Sequence, residues 1–590
     1  MRYTDTTSFG KINFLFSVFL IFIIIIGSRL YFLQMYNHEH FALLGKKNFL
    51  RTQIIPCPRG NIVDCHGEIL ATNTPITHMY WQGSGNNQFS ETQIEALKKI
   101  NLILYPEFEE SPLPFAKIKY AEKFGTKVKI HEDLSYVQLS QIAEQCMNCQ
   151  NIRFDTHFKR HYPHGHTACH VLGYLGDVTL QPQGKMGIEK VFESVLQGNH
   201  GIVQTTINSF GRQLSAQQIK HAQKGGNLQT TLDLEMQKLA EQAFPEQDAG
   251  AMIILNPKTG DIKTLISRPG FDPTLFLKPI SQEDWASIQS LSTPFLNRVF
   301  HALYPPASTF KLVTISAALE EHLINEHTKT YCMGYTTFAG RKYHCSRRTG
   351  HGLMDIQDSL AYSCNILFFD IAKRLHIDKL SEYAHKFGLG ENTNVIFQDK
   401  TGVVPNNAWK IANKGERWWQ GETLSAVIGQ SFLLVTPIQV ACMIGSIFEG
   451  YLVKPRITFQ EEIETRPLKI QTSTRNFLKD CMRMVITTGT GQRIKNLKDI
   501  QIFAKTGTAQ VVGMKNPDGD DEEQEYARRH HAWFVSYFSY KHEDPLVLVL
   551  MIEHVGSSIY ATTVAKNFLK AYVESRKQAQ APKTADSSAA

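Results

Sequence analysis

Three short clusters of polar residues carry side chains suited to acyl transfer. Ser308-Thr309-Phe310-Lys311 sets a hydroxyl and an amine three positions apart. Pro305 and Pro306 precede it and cannot lie inside a helix, so the apolar stretch that follows predicts a helix starting at about Ser308. On that helix Lys311 falls on the face of Ser308, one turn on. A serine hydroxyl is a poor nucleophile until a base takes its proton, and a neutral lysine amine can be that base. Burial and the positive end of a helix both push a lysine toward neutrality. Ser363-Cys364-Asn365 offers a hydroxyl that can relay a proton and an amide that can hold Lys311 or a substrate carbonyl. Lys505-Thr506-Gly507-Thr508 follows the apolar Ile502-Phe503-Ala504 and reads as a strand. There Gly507 admits a substrate backbone, and Lys505 with the threonine hydroxyls can bind a terminal carboxylate. Each cluster alone is cheap; the three in this order, at 308, 363 and 505, are not.

A fourth constellation overlaps the second. Of the ten cysteines, Cys332, Cys345 and Cys364 stand with His351 within 33 positions, a set that could hold zinc as Cys₃His. A metal there would pin the Ser363 loop beside Ser308. The competing reading is a Cys332–Cys345 disulfide with Cys364 simply buried, and His344 is a possible substitute ligand. Cys146-Met147-Asn148-Cys149 reads as a local disulfide or plain packing.

These residues need a scaffold, and the chain has length for one. It has 590 residues, 42% apolar and 20% charged, enough for a real core. The net charge of +7 is too small for the dense basic stripe of a nucleic-acid binder and suits a weak attraction to an anionic surface. Residues 12–28 carry no charge, and with Leu30–Leu33 they supply about 20 residues for a membrane span. The run is longer than a cleaved signal peptide's and lacks its small-residue site, so an uncleaved anchor over 12–33 is expected, after a tail at 1–11. Residues 34–244 read as a mixed, β-rich domain, with helices at 91–102 and 136–146 and a helix N-capped by Asp233. A second domain spans 245–576: a hairpin from Ala249, helices at 308–320, 355–373, 378–386 and 436–449, and strands at 532–537 and 546–553. The acidic run 518–525 reads as a solvated loop and 577–590 as a disordered tail. The class is α+β.

The three motifs together resemble those of penicillin-binding proteins. The likeness extends along most of the chain and is strongest to class B members of the elongation type, penicillin-binding protein 2. Arg59-Gly60-Asn61-Ile62-Val63-Asp64 with Gly67 and Leu70-Ala71, His170-Val171-Leu172-Gly173-Tyr174-Leu175-Gly176 and Gly187-Ile188-Glu189 fit that family's N-terminal motifs. Asn297-Arg298, Trp419–Thr423, Gly429-Gln430, Thr436-Pro437 and Lys505–Val511 fit the remainder. The resemblance implies a transpeptidase domain of antiparallel sheet flanked by helices, on a pedestal. It implies that Ser308 attacks the penultimate D-Ala carbonyl of a stem peptide and that Lys311 takes the proton, with Ser363 and Asn365 completing the relay. The N–H groups of Ser308 and Thr508 would form the oxyanion hole. Lys505, Thr506, Gly507 and Thr508 would hold the donor peptide, and β-lactams would acylate Ser308. It further implies a cytoplasmic N-terminus, a periplasmic catalytic domain on the inner membrane, and a RodA-type glycan polymerase and an MreC-like scaffold as partners. Some members carry Asp or Cys, His and Cys near the proposed zinc ligands.

Three positions depart from the family pattern. Cys65 replaces an arginine, removing one expected salt link. Ala307 replaces a glycine before the nucleophile, and Asn365 stands where many members have Asp. Other functions fit less well. A β-lactam sensor or scaffold has no need of all three intact motifs. A D,D-carboxypeptidase or β-lactamase would not need so long an N-terminal region, and no obvious deacylating Glu is seen. A division-type transpeptidase is the nearer alternative.

Overall fold

The computed structural model describes residues 6–107, 112–176, 182–207, 213–290, 293–511 and 529–580. The acidic run 518–525 and residues 581–590 lie outside the described residues.

The N-terminal helix Thr6–Tyr31 continues as a wider turn over Phe32–Tyr36. The stretch Gly10–Tyr36 is long and apolar enough to cross a membrane, and none of its most apolar window is buried by protein. Its isoleucines and phenylalanines are exposed, as a lipid-facing helix requires.

The chain forms two compact units, and the division does not follow a single boundary at 244. One unit takes Met1–Arg59, Thr74–Lys159 and Gly198–Gly225; the other takes Gly60–Asn73, Arg160–Gln197 and Gly226–Ala590. In the first unit, Leu50–Ile55, Gly201–Ile207 and Gln213–Lys220 form an antiparallel three-stranded sheet. A separate small core packs Trp81, Leu97, Ile100, Ile118 and Ile142 between the strand pair 79–82 and 127–131 and three helices. Two of those helices, Glu91–Leu104 and Tyr136–Gln145, are the expected ones, each opened by a serine–glutamine capping box.

In the second unit the expected hairpin forms from Gly250–Leu255 and Ile262–Arg268. It continues into a five-stranded antiparallel sheet with Leu546–Ile552, His531–Tyr540 and, at the edge, Ile500–Ala509. Alternation along Gly250–Leu255 sends Ala251 and Ile253 to one face and Met252 and Ile254 to the other. The first face packs on Lys311–Glu320 and Pro437–Glu449, the second on Leu234–Ala243 and Ser558–Gln580. Asp233 caps Leu234–Ala243 as expected, accepting from Met236 N. The last helix runs to Gln580, so residues 577–580 of the expected tail are helical.

Buried charges brace this unit. Arg160 meets Glu189 at 2.7 Å and donates to Gly60 O at 2.7 Å. His170, held neutral by burial that pushes its pKa down to about 4, sits 2.8 Å from Pro294 O. Cys65 costs Asp64 nothing visible, because that carboxylate already accepts from the N–H groups of His66, Glu68 and Leu234.

Candidate active site

The turn that carries Ser308 is clamped from three sides. Tyr304 and Val435 exchange backbone hydrogen bonds at 2.9 Å, Ala307 N donates to Gly429 O at 2.9 Å, and the Trp533 indole donates to Pro305 O at 3.0 Å. A Cβ on Gly429 would lie 2.1 Å from Ala307 O, so only glycine permits this approach. Ala307 adopts φ +50°, a left-handed conformation that favours glycine and explains the family's choice. The helix does not begin at Ser308: residues Ala307–Phe310 form a tighter 3₁₀ turn, and the α-helix runs Lys311–Glu320. Ser308 is left half-buried at the surface of the turn, with Lys311 wholly buried beneath it.

The expected helix 355–373 is broken at the motif it carries. Ile356–Ala361 ends, Ser363 turns to φ +55°, and Ile366–Ala372 begins after Asn365. The apolar pattern runs on through the break, so sequence periodicity hides it. The break exposes two backbone carbonyls, and Lys311 Nζ donates to both, Ser363 O at 2.9 Å and Cys364 O at 3.2 Å. It also reaches Asn365 Oδ1 at 2.7 Å and Ser363 Oγ at 3.3 Å. None of these four partners is Ser308. The Phe368 ring lies 4.8 Å from the amine. Burial drives the Lys311 pKa down to about 8, with the Cys364 and Cys345 sulfurs pulling it partly back.

Lys505 comes from the edge strand and is also wholly buried. Its amine donates to Ser363 Oγ at 3.1 Å and to Thr506 O at 2.9 Å. Burial, then the charge of Lys311, holds its pKa well below the usual lysine value. Gly507 faces the Ala307–Phe310 turn: a Cβ there would sit 3.5 Å from the Cβ of Ala307 and 3.2 Å from that of Trp533. Thr508 is half-exposed beyond it. Thr506 is only 2% exposed and shares a 2.6 Å hydrogen bond with Thr490. Thus Lys311, Ser363, Asn365, Lys505 and Thr506 are joined by hydrogen bonds, and Gly507 lies against the turn that carries Ser308. Sequence reading passed over Trp533, Phe368 and Thr490; only Thr490 carried a signal, the glycines on either side of it.

The cysteine cluster adjoins this site. Two hairpins, 329–332 with 352–355 and 335–338 with 341–344, bring Cys332, Cys345 and His351 to Cys364. His351 Nδ1 lies 3.5 Å from both Cys332 Sγ and Cys345 Sγ, and Cys345 and Cys364 sulfurs are 3.7 Å apart. Tetrahedral zinc with bonds of about 2.3 Å to sulfur and 2.0–2.1 Å to nitrogen would separate its ligands by about 3.5–3.8 Å, so the donor set fits. All ten cysteines are free thiols, Cys332 and Cys345 included. Cys345 Sγ accepts from Asn365 N at 3.4 Å, and the hydrogen bond shared with Cys364 pulls its pKa below the usual thiol value. His344 stands outside the cluster and contributes its carbonyl to Asn365 Nδ2 at 3.2 Å. Cys146 packs in the small core, with Cys149 N bonded to its carbonyl.

Comparison with known proteins converges on one family. Residues 250–574, more than half the chain, match the penicillin binding protein transpeptidase domain, and residues 54–230 match the penicillin-binding protein dimerisation domain. The chain is 29% identical to the peptidoglycan D,D-transpeptidase MrdA of Acinetobacter baumannii, over 85% of this chain and 78% of that protein. It is 26% identical to MrdA of Escherichia coli K12, over 92% and 90%. Its structure is similar to that of PBP2 from Helicobacter pylori in complex with MreC, with TM-score 0.73 and 26% identity over 89% of this chain and 99% of that one. It is likewise similar to a chain of a peptidoglycan synthase complex that coordinates polymerization and crosslinking, with TM-score 0.74 and 26% identity over 96% and 98%.

Proposed function

Since this chain belongs to the penicillin-binding protein transpeptidase family, we propose that it is an elongation-type peptidoglycan D,D-transpeptidase with Ser308 as its nucleophile. The observation that carries the assignment is Ser363 Oγ, 3.3 Å from Lys311 Nζ and 3.1 Å from Lys505 Nζ, where the three motifs meet. Neutral Lys311 removes the Ser308 proton as the hydroxyl attacks the penultimate D-Ala carbonyl of a stem peptide. The tetrahedral oxyanion is held by the N–H groups of Ser308 and Thr508. Both lone pairs of Ser363 Oγ face amines, which leaves its proton free to be delivered to the departing D-Ala nitrogen. An amine of a neighbouring stem then attacks the acyl-enzyme and regenerates Ser308.

The edge strand Ile500–Ala509 gives an extended donor peptide a row of backbone groups to pair with, while Lys505, Thr506 and Thr508 bind its carboxylate. β-Lactams imitate that terminus and acylate Ser308. Fluorescent penicillin therefore labels the native chain and not Ser308→Ala; equal labelling of both would remove Ser308 from this role.

Cys332, Cys345, His351 and Cys364 hold zinc in this reading. The metal would supply a cross-link between the hairpins and the Ser363–Asn365 loop, a structural role. The helix Gly10–Tyr36 anchors the chain in the inner membrane, with the N-terminus cytoplasmic and the catalytic unit periplasmic. A RodA-type glycan polymerase and an MreC-like scaffold are its partners, as the structures of related complexes suggest.

A further inference from the structure

Thr490 lies between two glycines just past the helix Thr472–Thr487. Its N–H donates to the carbonyl of Ala361, two residues before Ser363, at 3.0 Å. A Cβ on Gly489 would fall 2.3 Å from that same oxygen, so the crossing exists only because residue 489 is glycine. The crossing brings Thr490 Oγ1 to 2.6 Å from Thr506 Oγ1. Thr490 is exposed, whereas Thr506 beneath it is nearly closed off. Thr490 thus ties the approach to the Ser363 loop to the Lys505 strand, at an exposed position beside Thr506.

The protons can be counted. Two hydroxyls share one line, and only one proton can lie on it. If Thr506 donated to Thr490, its proton would be spent, and an arriving carboxylate would meet oxygen lone pairs. Thr490 would then turn its own proton to Ala361 O, at 3.4 Å, or to the solvent it is exposed to. If Thr490 donates to Thr506 instead, the Thr506 proton is free to point at the carboxylate, and the chain of hydrogen bonds strengthens it as a donor. The 2.6 Å separation is the same in both arrangements, and it is a carboxylate taking the Thr506 proton that requires the second, because the line between the two hydroxyls then needs the proton of Thr490.

We propose that Thr490 is a positioning residue for carboxylate recognition, donating to Thr506 Oγ1 so that the Thr506 hydroxyl donates to the donor terminus or to a β-lactam carboxylate. The inference rests on the reading of Thr506 as a carboxylate ligand given above.

Acylation rates of the full chain with a penicillin and with the methyl ester of the same penicillin test it, in the native chain, Thr490→Val and Thr490→Ser. Thr490→Val keeps the volume and loses the proton. It should slow acylation by the acid about tenfold and leave the ester within about twofold, and Thr490→Ser should restore the acid rate. Equal slowing with both probes would mean a general loss of site geometry and would overturn the proposal, as would no slowing at all. A native chain that fails to prefer the acid over the ester would overturn the carboxylate reading itself. Thermal melting of each variant separates misfolding from loss of the hydrogen bond.

Discussion

Lys311 and Lys505 are two buried amines that share one hydroxyl, and neither can carry its charge cheaply. With Lys311 at about 8, the amine is mostly protonated at pH 7 and mostly neutral at pH 9. The base form is the neutral one, so acylation should rise with pH. The gain between pH 7 and pH 8 should be about fivefold, levelling by about pH 9. A stopped-flow profile that is flat or falling across that window would exclude Lys311 as the base. Ala307 is a second residue whose chemistry and conformation disagree. A left-handed alanine costs about 1–2 kcal/mol, part of which glycine would return as unfolded-state entropy. Ala307→Gly should therefore raise unfolding free energy by about 0.5–1 kcal/mol in denaturant titration, and destabilisation by a similar amount would show that the Ala307 methyl matters more than its φ. Sequence alone flagged this position through its departure from the family pattern, but the +50° torsion that gives the departure meaning was not visible there.

The elements that hold these residues were legible to different degrees. The hairpin at 250–268, the Asp233-capped helix and the capped helices at 91 and 136 follow local rules of alternation and capping, and they formed as read. The break at Ser363 and the closing helix Ser558–Gln580 did not follow from local pattern. The first depends on Lys311 from 52 residues away claiming the freed carbonyl of Ser363, the second on a sheet face that forms only when distant strands pair. At this scale belongs the metal test. The hairpins carrying Cys332, Cys345 and His351 make short two-stranded ladders, and zinc would join them to the Asn365 loop. Metal analysis of the purified ectodomain should find about one equivalent, and stripping it, or His351→Ala, should lower the melting temperature and slow penicillin acylation. Less than about a tenth of an equivalent, with Cys332 and Cys345 recovered oxidised, would replace zinc by a disulfide.

For the molecule as a whole, the anchor is energetically separate from the chemistry. Removing residues 1–36 should leave penicillin acylation within about twofold while moving the protein from the membrane to the soluble fraction, because the removed helix buries nothing against a core. A large loss of acylation would tie the span to catalysis. Residues 34–244 divide between the two compact units. Segments 60–73 and 160–197 pack with the catalytic unit through contacts between residues far apart in the chain, such as Asp64 with Leu234 and His170 with Pro294, and no linker composition marks them. Among the described residues, Ile500–Ala509 has a partner on one side only, and a long strand with a free side is a template for pairing with a second molecule. The row of backbone groups that would receive an extended peptide is therefore open to a strand of a second copy as well, so aggregation of the purified protein would be expected to fall when a peptide or a β-lactam occupies that side.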